Sequence, residues 1–383
     1  MSPVELADNP AHEIDREVAR ATHEGREVLR LHVGDPELET PVGVREAATQ
    51  ALAKGRTHYA PAQGVPRLRH AIAEFWGRRH KLTASPEEVV VLPAKFAIFA
   101  TLLAAIDPGD EVLFADPSYF FEEPIRLAGG RPLRFPLRED HSLDLEALDA
   151  AVTPRTRVLA LVTPGNPTGR VLRRDELRGA ASIAKDHHLT VLSDEAYAEM
   201  VYEGTHVPFA TAAEPGEPVV TIGSFSKTFA MSGWRAGFTI APADLTARIV
   251  RVVEHTLTCI PPFVQDACRW ALEHGEDDAR RLLEQLRERR DQLLGRLDDL
   301  PGISYVNPEG AIYVFPRVET SIPSVELARR LLAEEGVAVA PGSAFGPRGE
   351  GHLRIAYTLA PDRLDAAAAR LAAFLGRIGL SRG

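Results

Sequence analysis

The sequence has few of the features that cross-link a protein, anchor it in a membrane or direct its secretion. Its 383 residues include only two cysteines, Cys259 and Cys268, which excludes a disulfide framework and suits a reducing, cytoplasmic setting. The longest apolar run, Phe96 to Ile106, is too short to cross a bilayer, so no membrane partner is predicted. Residues 1–15 are polar and acidic, unlike the basic and then apolar pattern of a secretion signal.

Excess positive charge is also missing, because 54 acidic residues against 44 basic ones give a formal net charge of −10. A role in binding nucleic acid therefore has no electrostatic support, and the acidic balance favours solubility. A hydrophobic content of 45% over this length allows one large core and a smaller second one. The chain contains no internal repeat and no low-complexity segment.

Short apolar runs alternate with amphipathic stretches along most of the chain. Strands are predicted at 88–92, 112–115, 157–162, 190–193, 219–223 and 236–240, and near 303–306 and 311–315. Helices are predicted at 12–30, 44–54, 65–80, 173–187, 324–335 and 361–377, and a long, exposed, charged helix at 276–298. Strands that alternate with helices favour an α/β fold with a mostly parallel sheet covered on both faces.

Lys227 carries the strongest chemical signal in the sequence. It follows the apolar run 218–223 within Ser-Phe-Ser-Lys-Thr at 224–228, and Arg235 comes shortly after it. A lysine amine forms a Schiff base with an aldehyde, while Ser224, Ser226 and Arg235 are suited to hold a phosphate. Pyridoxal 5'-phosphate (PLP) carries both groups. A lysine near serine is more often a solvated surface charge, so the interpretation depends on further segments.

Three further segments fit the same cofactor. Asn166 lies in Thr-Pro-Gly-Asn-Pro-Thr-Gly at 163–169, Asp194 and Tyr197 lie in Ser-Asp-Glu-Ala-Tyr at 193–197, and Arg354 lies in Leu-Arg-Ile at 353–355. In open α/β sheets, ligands bind beyond the carboxyl ends of the strands. Asn166, Asp194 and Lys227 all follow predicted strands and are therefore expected to meet at one site.

The order of these motifs resembles that of fold-type I PLP-dependent aminotransferases of class I and II, the branch that includes bacterial aspartate and prephenate aminotransferases. The likeness runs from Leu-His-Val-Gly-Asp-Pro at 31–36, through His-Tyr-Ala-Pro-Ala-Gln-Gly at 58–64, to Pro-Gly-Ser-Ala-Phe-Gly at 341–346. It implies a large PLP-binding domain at 41–280 with a seven-stranded, mostly parallel sheet. It also implies a small α+β domain at 281–383 and an N-terminal arm at 1–40 that contributes to the small domain.

The resemblance assigns the catalytic roles. Lys227 would hold PLP and move the Cα proton, and Asp194 would meet the pyridine nitrogen. Tyr197 and Asn166 would bind the 3-oxygen of the ring. Each residue has a structural alternative, since Asp194 suits a helix N-cap, Tyr197 a core aromatic and Asn166 a Pro-Gly-Asn-Pro turn. The matched spacing between Asp194 and Tyr197 favours the catalytic interpretation.

The phosphate site implied by the resemblance consists of Ser224, Ser226, Arg235, Ala94 and Lys95. The segment that contains Ala94 and Lys95 follows a strand and opens a helix, which suits an anion. Relatives usually have glycine where this chain has Pro93, and proline lacks an N–H donor.

Two aromatic residues complete the implied cofactor site. Tyr119 would stack on the ring, although Phe120 and Phe121 compete for that position. Tyr59 would reach the phosphate of a second subunit, because members of this family share active sites across a homodimer.

The substrate site implied by the resemblance consists of Arg354, Gly34, Asn166 and Lys95. Arg354 would clamp the α-carboxylate of the substrate, with a surface arginine as its alternative. Gly34 would allow the backbone to approach that carboxylate. Lys95 would favour an acidic side chain such as that of aspartate or glutamate, although it is equally suited to the phosphate.

The resulting hypothesis is an aminotransferase that moves an amino group from an L-amino acid to a 2-oxo acid, with PLP as cofactor and no metal. A PLP-dependent lyase that eliminates at Cβ or Cγ uses the same residues and remains the alternative. A PLP-sensing transcription factor is disfavoured by the acidic charge. The identity of the amino donor and acceptor stays open.

Overall fold

The structure is a computed structural model that describes residues 8–380. Its helices are α1 (Pro10–His23), α2 (Val42–Ala53), α3 (Pro66–His80), α4 (Ala94–Ala105), α5 (Glu122–Leu127), α6 (Leu145–Ala150), α7 (Arg174–Asp186), α8 (Phe209–Ala212), α9 (Phe225–Thr228), α10 (Ala243–Glu254), α11 (Pro262–His274), α12 (Glu276–Leu297), α13 (Ser324–Glu335) and α14 (Pro361–Arg377). Its strands are β1 (Leu29–Arg30), β2 (Val89–Val91), β3 (Glu111–Asp116), β4 (Arg131–Pro136), β5 (Thr156–Val162), β6 (Thr190–Asp194), β7 (Val219–Ser224), β8 (Gly237–Ile240), β9 (Ile303–Ser304), β10 (Tyr313–Val314), β11 (Arg317–Val318), β12 (Val337–Ala338), β13 (Ala340–Pro341) and β14 (Leu353–Ala356).

A seven-stranded sheet in the order β2-β8-β7-β6-β5-β3-β4 forms the centre of the fold. Only β8 runs antiparallel to its neighbours, so the predicted α/β class with a mostly parallel sheet is confirmed. Most residues of the inner strands are buried because helices cover both faces, which is why these strands appear as apolar runs in the sequence.

The edge strand β4 was not predicted from the sequence. It pairs in parallel with β3 and contains two prolines and two arginines in Arg131–Pro136. An edge strand tolerates proline because one row of its backbone groups faces away from the sheet. Its side chains are mostly half-buried, so it lacks the apolar run that marks its neighbours.

The predicted helix at 12–30 is too long. The helix α1 ends at His23, because Gly25 adopts a left-handed conformation with φ of 79° and turns the chain. Residues Leu29 and Arg30 then pair in parallel with β12. The N-terminal segment is thereby tied to the C-terminal part of the chain.

The predicted charged helix is α12, but it is not exposed all round. Its leucines Leu282, Leu286 and Leu293 are buried in one hydrophobic cluster. That cluster also contains Ile14 of α1 and many residues beyond 310, so the N-terminal and C-terminal segments share a core separate from those on the two faces of the sheet.

The boundaries at 1–40, 41–280 and 281–383 stay a prediction, and positions 1–7 and 381–383 lie outside the described residues. Within 8–380, no helix is both long and apolar enough to cross a membrane.

The carboxyl ends of the parallel strands converge on one edge of the sheet. Strand β5 ends at Val162, β6 at Asp194 and β7 at Ser224. Helix α4 begins at the same edge, just after β2. The polar segments identified in the sequence therefore lie together at this edge of the sheet.

Candidate active site

A cavity of about 270 Å³ opens at this edge of the sheet. Twelve of the residues predicted from the sequence line it: Gly34, Ala94, Lys95, Tyr119, Asn166, Asp194, Tyr197, Ser224, Ser226, Lys227, Arg235 and Arg354. Tyr59 is not among the lining residues, and 88% of it is exposed.

Asp194 ends β6 with its carboxylate buried in the cavity wall. Only 7% of the residue is exposed, and its Oδ1 accepts a hydrogen bond from the Ala196 N–H at 3.1 Å. Residues 196–199 form a turn and no helix follows Asp194 directly, so the helix N-cap alternative is wrong. Burial raises the pKa of Asp194 to about 7, with a smaller contribution from the charge of Glu195. A buried carboxylate of this kind fits a cationic ligand group, because a cation restores the stability of its charged form.

Behind Asp194, a second buried carboxylate fixes the chain that leaves β6. Glu195 accepts hydrogen bonds from the Ser193 hydroxyl at 2.8 Å and from the Phe209 N–H at 2.9 Å. The His206 Nε2 lies 2.6 Å from its other oxygen. These bonds position Asp194 from behind. The sequence analysis did not single out Glu195 or His206, because their partners are distant in the chain.

Lys227 lies in the single turn α9, directly after β7. The Ser224 hydroxyl caps this turn by accepting from the Ser226 N–H at 3.1 Å. The Lys227 amine extends across the cavity and donates to the carbonyl oxygen of Gly34. The amine is thus held by backbone alone and is available to react.

Gly34 is required by close packing as well as by its position in the cavity wall. A Cβ at Gly34 would overlap the hydroxyl of Tyr313. That hydroxyl lies 2.9 Å from the Tyr197 hydroxyl, within hydrogen-bond distance. Burial and the neighbouring Tyr313 raise the pKa of Tyr197 well above its ordinary value, so its phenol stays protonated.

The start of α4 forms an anion-binding corner. Pro93 is the N-cap, so its missing N–H comes before the first helical donors, and its carbonyl accepts from the Ala97 N–H at 2.8 Å. A Cβ at Gly237 would lie 2.8 Å from the Ala94 nitrogen, so glycine lets β8 pack against the helix start. Burial lowers the pKa of Lys95, as does the nearby charge of Arg235. Two cations and helical N–H groups together suit a phosphate.

Arg354 is buried, with 5% exposure, so the surface alternative is wrong. Its guanidinium donates to Asn166 Oδ1 at 3.0 Å and to the His32 carbonyl at 2.5 Å. It also lies 4.3 Å from the ring centroid of Tyr313 and 4.8 Å from that of Phe345. These contacts hold the planar group in one orientation, which is what two-pronged binding of a carboxylate requires.

The consecutive aromatic residues Tyr119, Phe120 and Phe121 have different environments. Phe121 is buried in the core at 1% exposure, whereas Tyr119 and Phe120 both line the cavity. The rings of Tyr119 and Phe120 are stacked at 5.2 Å. Phe121 is therefore excluded as the residue that stacks on a ligand.

Four further polar residues line the cavity and were not predicted from the sequence: His12, Asp15, His32 and Tyr313. Each reaches the cavity only through tertiary packing of segments outside the sheet. The one available signal was the spacing of His12 and Asp15, which places them on the same face of a helix.

Comparisons with known proteins agree with this geometry. The model of the family "Aminotransferase class I and II" matches residues 26–371. The chain is 37% identical to an aspartate aminotransferase of Pyrococcus abyssi, over 90% of this chain and 91% of that protein. It is also 37% identical to an arginine–pyruvate transaminase of Pseudomonas aeruginosa, over 93% and 92%. A solved aspartate aminotransferase from Thermus thermophilus with maleate superposes with a TM-score of 0.92 at 34% identity, covering 98% of this chain and 100% of that one.

The chain belongs to the class I and II aminotransferase family. It is a PLP-dependent enzyme of fold type I that transfers an amino group between an amino acid and a 2-oxo acid. The lyase alternative has less support. The cavity fits PLP, because it offers a buried carboxylate, a lysine amine and an anion-binding corner.

Replacing Asp194 by Asn should stabilise the protein from which PLP has been removed. The pKa of Asp194 rises from 3.8 to about 7 on folding, so the folded state holds this proton more tightly. Stability is therefore lost as pH rises through this window, by at most about 4 kcal/mol above pH 7. Asn keeps the Ala196 hydrogen bond and carries no charge.

The measurement is thermal unfolding of both cofactor-free proteins between pH 5 and pH 8. The unfolding temperature of the Asn variant should increase relative to that of the wild type as pH rises. This difference in unfolding temperature should become smaller when PLP is bound. Parallel pH profiles would show that the carboxylate costs nothing when buried.

Proposed function

We propose that Lys227, Asp194, Tyr197, Asn166 and Arg354 carry the amino transfer. The observation that supports this most strongly is the meeting of the Asp194 carboxylate and the Lys227 amine in one cavity, at the ends of adjacent strands. Bound PLP supplies an aldehyde for the amine and a protonated ring that draws electron density from Cα. Asp194 keeps the ring nitrogen protonated.

Lys227 has two tasks in this proposal. It binds the cofactor at rest, and once displaced by a substrate amine it moves the Cα proton as general base and then as general acid. Its contact with the Gly34 carbonyl supports this, because that contact holds the amine inside the cavity through a backbone group.

Tyr197 and Asn166 bind the 3-oxygen of the ring. The Oδ1 of Asn166 already accepts from Arg354, so its amide N–H groups are left to donate. The phenol of Tyr197 stays protonated and is likewise a donor. Arg354 clamps the substrate α-carboxylate, and its bond to Asn166 couples substrate position to cofactor position.

In this proposal Ser224, Ser226, Arg235 and Ala94 hold the phosphate and Tyr119 stacks on the ring, with a phosphate contact of Lys95 as the alternative to its contact with the substrate side chain. The free N–H groups at the start of α4 and the cations beside them support the assignment of the phosphate site. The position of Tyr119 in the cavity wall supports its stacking on the ring. A cytoplasmic location is also proposed, supported by the free thiols of Cys259 and Cys268.

Reduction of the holoenzyme with borohydride should fix the pyridoxyl group on Lys227. Peptide mapping by mass spectrometry locates the label, and Lys185, which pairs with Glu214 at the surface, serves as an internal control. The reduced protein should have lost amino transfer between an amino acid and a 2-oxo acid. A label on Lys95 or Lys185 would overturn the assignment, and release of ammonia without an acceptor would favour the lyase.

An acidic substrate on one half-reaction is proposed on the basis of Lys95, which lines the cavity. The named relatives differ in their substrates, since one is an aspartate aminotransferase and another an arginine–pyruvate transaminase. The substitution Lys95→Ala should lower kcat/KM for aspartate and glutamate roughly ten- to a hundred-fold, the range for one charge-assisted hydrogen bond.

The rate with alanine and the affinity for PLP are the controls for this variant. Both should change little if Lys95 acts on the substrate side chain. An equal loss with every amino acid, together with weaker retention of PLP, would assign Lys95 to the phosphate.

We propose a homodimer in which Tyr59 acts in the active site of the partner subunit. The proposal is based on the exposure of Tyr59. An aromatic that is 88% exposed and lies outside its own cavity fits a position covered by a second subunit. The adjoining segment also exposes Leu257, beside the contact between the Ala60 N–H and Cys259 Sγ at 3.4 Å.

Mixing Lys227→Ala protein with Tyr59→Ala protein should restore activity if Tyr59 acts in trans. A hybrid dimer then contains one site with both residues intact, and random pairing gives roughly a quarter of wild-type activity. Each variant alone should be far less active than the mixture. If Tyr59 serves its own subunit, no hybrid site is complete, and the mixture stays at the level of its components.

A further inference from the structure

The N-terminal helix α1 forms one side of the active-site cavity. Two of its polar residues, His12 and Asp15, line the cavity beside Ala11. Its other side is anchored, because Glu13 and Glu17 pair with Arg329 of α13 at 2.6 and 3.0 Å. The helix therefore holds Asp15 at a fixed place in the cavity wall.

Asp15 presents a charged carboxylate that keeps an open side. One of its oxygens lies 3.1 Å from Nε2 of the buried His32, and the other lies 3.4 Å from Nδ1 of His12. The nearby His32 imidazole is the main reason that the pKa of Asp15 falls below its ordinary value. The side chain is 48% exposed, so a ligand in the cavity can still reach it.

His32 connects Asp15 to the residue proposed to hold the substrate carboxylate. Its carbonyl accepts from Arg354, while its ring contacts Asp15. A single residue, His32, therefore lies between the Asp15 carboxylate and the Arg354 guanidinium. An amino acid whose α-carboxylate lies on Arg354 can extend its side chain toward Asp15.

Lys95 lines the same cavity and carries the opposite charge. Burial and the charge of Arg235 lower the pKa of Lys95, and the charges of Glu123 and Asp15 partly oppose this shift. In the described part of the chain, however, no ion pair joins them. Cavity space therefore separates a carboxylate from an ammonium, and a ligand can reach the exposed side of Asp15 as well as Lys95.

We infer that Asp15 is a specificity-determining residue that accepts the distal ammonium or guanidinium of a cationic amino acid. This inference rests on the proposed function and adds a second substrate class to the acidic one assigned to Lys95. An aminotransferase takes two different substrates in turn at one site. A pocket with one charge of each sign gives both of them a partner.

Substrates matched in length test the inference in the holoenzyme. Lysine and norleucine have the same unbranched side chain, except that norleucine lacks the ammonium. The wild type should use lysine and arginine with kcat/KM at least roughly ten-fold above norleucine, as one charge-assisted hydrogen bond predicts. The substitution Asp15→Asn should abolish this preference, leave norleucine and alanine nearly unchanged, and improve glutamate by removing a like charge.

The variant Glu24→Gln is the matched control, since it removes the same charge from the end of the same helix, where Glu24 is exposed and lies outside the cavity. It should leave the lysine-to-norleucine ratio unchanged. Calorimetry adds a readout without chemistry, in which 6-aminohexanoate should bind the wild type more tightly than hexanoate, and Asp15→Asn should remove the difference.

Failure of the inference about Asp15 and failure of the proposed function give different experimental results. A wild type that does not prefer lysine and arginine over norleucine overturns the inference alone. An equal loss on every substrate in Asp15→Asn, with a lower unfolding temperature, also overturns it and makes Asp15 an anchor for α1. Absence of amino transfer from all of these amino acids would instead contradict the proposed function.

Discussion

The site depends on keeping two opposite charges out of water at a fixed separation. Asp194 ends a strand of the sheet, and Arg354 lies on β14 in the C-terminal part of the chain. Each is nearly buried, and each would be costly to bury without its partners. Arg354 obtains them from Asn166 and the His32 carbonyl, whereas among residues 8–380 Asp194 accepts from a single donor, the Ala196 N–H. The asymmetry leaves the carboxylate, and not the guanidinium, in need of a cationic ligand.

The parallel sheet makes this arrangement possible. Strands β5, β6 and β7 run in the same direction, so their carboxyl ends bring Asn166, Asp194 and Lys227 to one edge from positions far apart in sequence. The reversed strand β8 contributes by a different route. Its first residue, Gly237, lacks the Cβ that would collide with the nitrogen of Ala94. The phosphate corner therefore depends on a glycine that would not touch the phosphate.

The sequence predicted those parts of the fold that depend on burial by the sheet. The apolar runs located β5, β6 and β7 to within about two residues, because strands covered on both faces must be apolar throughout. Strand β4 escaped prediction, since an edge position tolerates its prolines and arginines. Twelve of the predicted site residues line the cavity, and Asn166, Asp194 and Lys227 among them were predicted to meet because their motifs lie at strand ends. His32, Asp15 and Tyr313 were missed, since only the packing of the two chain ends against each other brings them there.

That packing also decides which part of the site discriminates between substrates. In the proposed function, the residues at the strand ends hold the cofactor because of their position at the sheet edge. The walls formed by α1 and the segment after β1 have no such role, so their charges are free to match the substrate. Here they supply Asp15, held by His32 and His12, opposite Lys95 at the start of α4. Because His32 contacts both Asp15 and Arg354, a shift of the N-terminal segment would move the side-chain pocket and the carboxylate clamp together. Selection of the side chain and orientation of Cα are therefore mechanically linked in this chain.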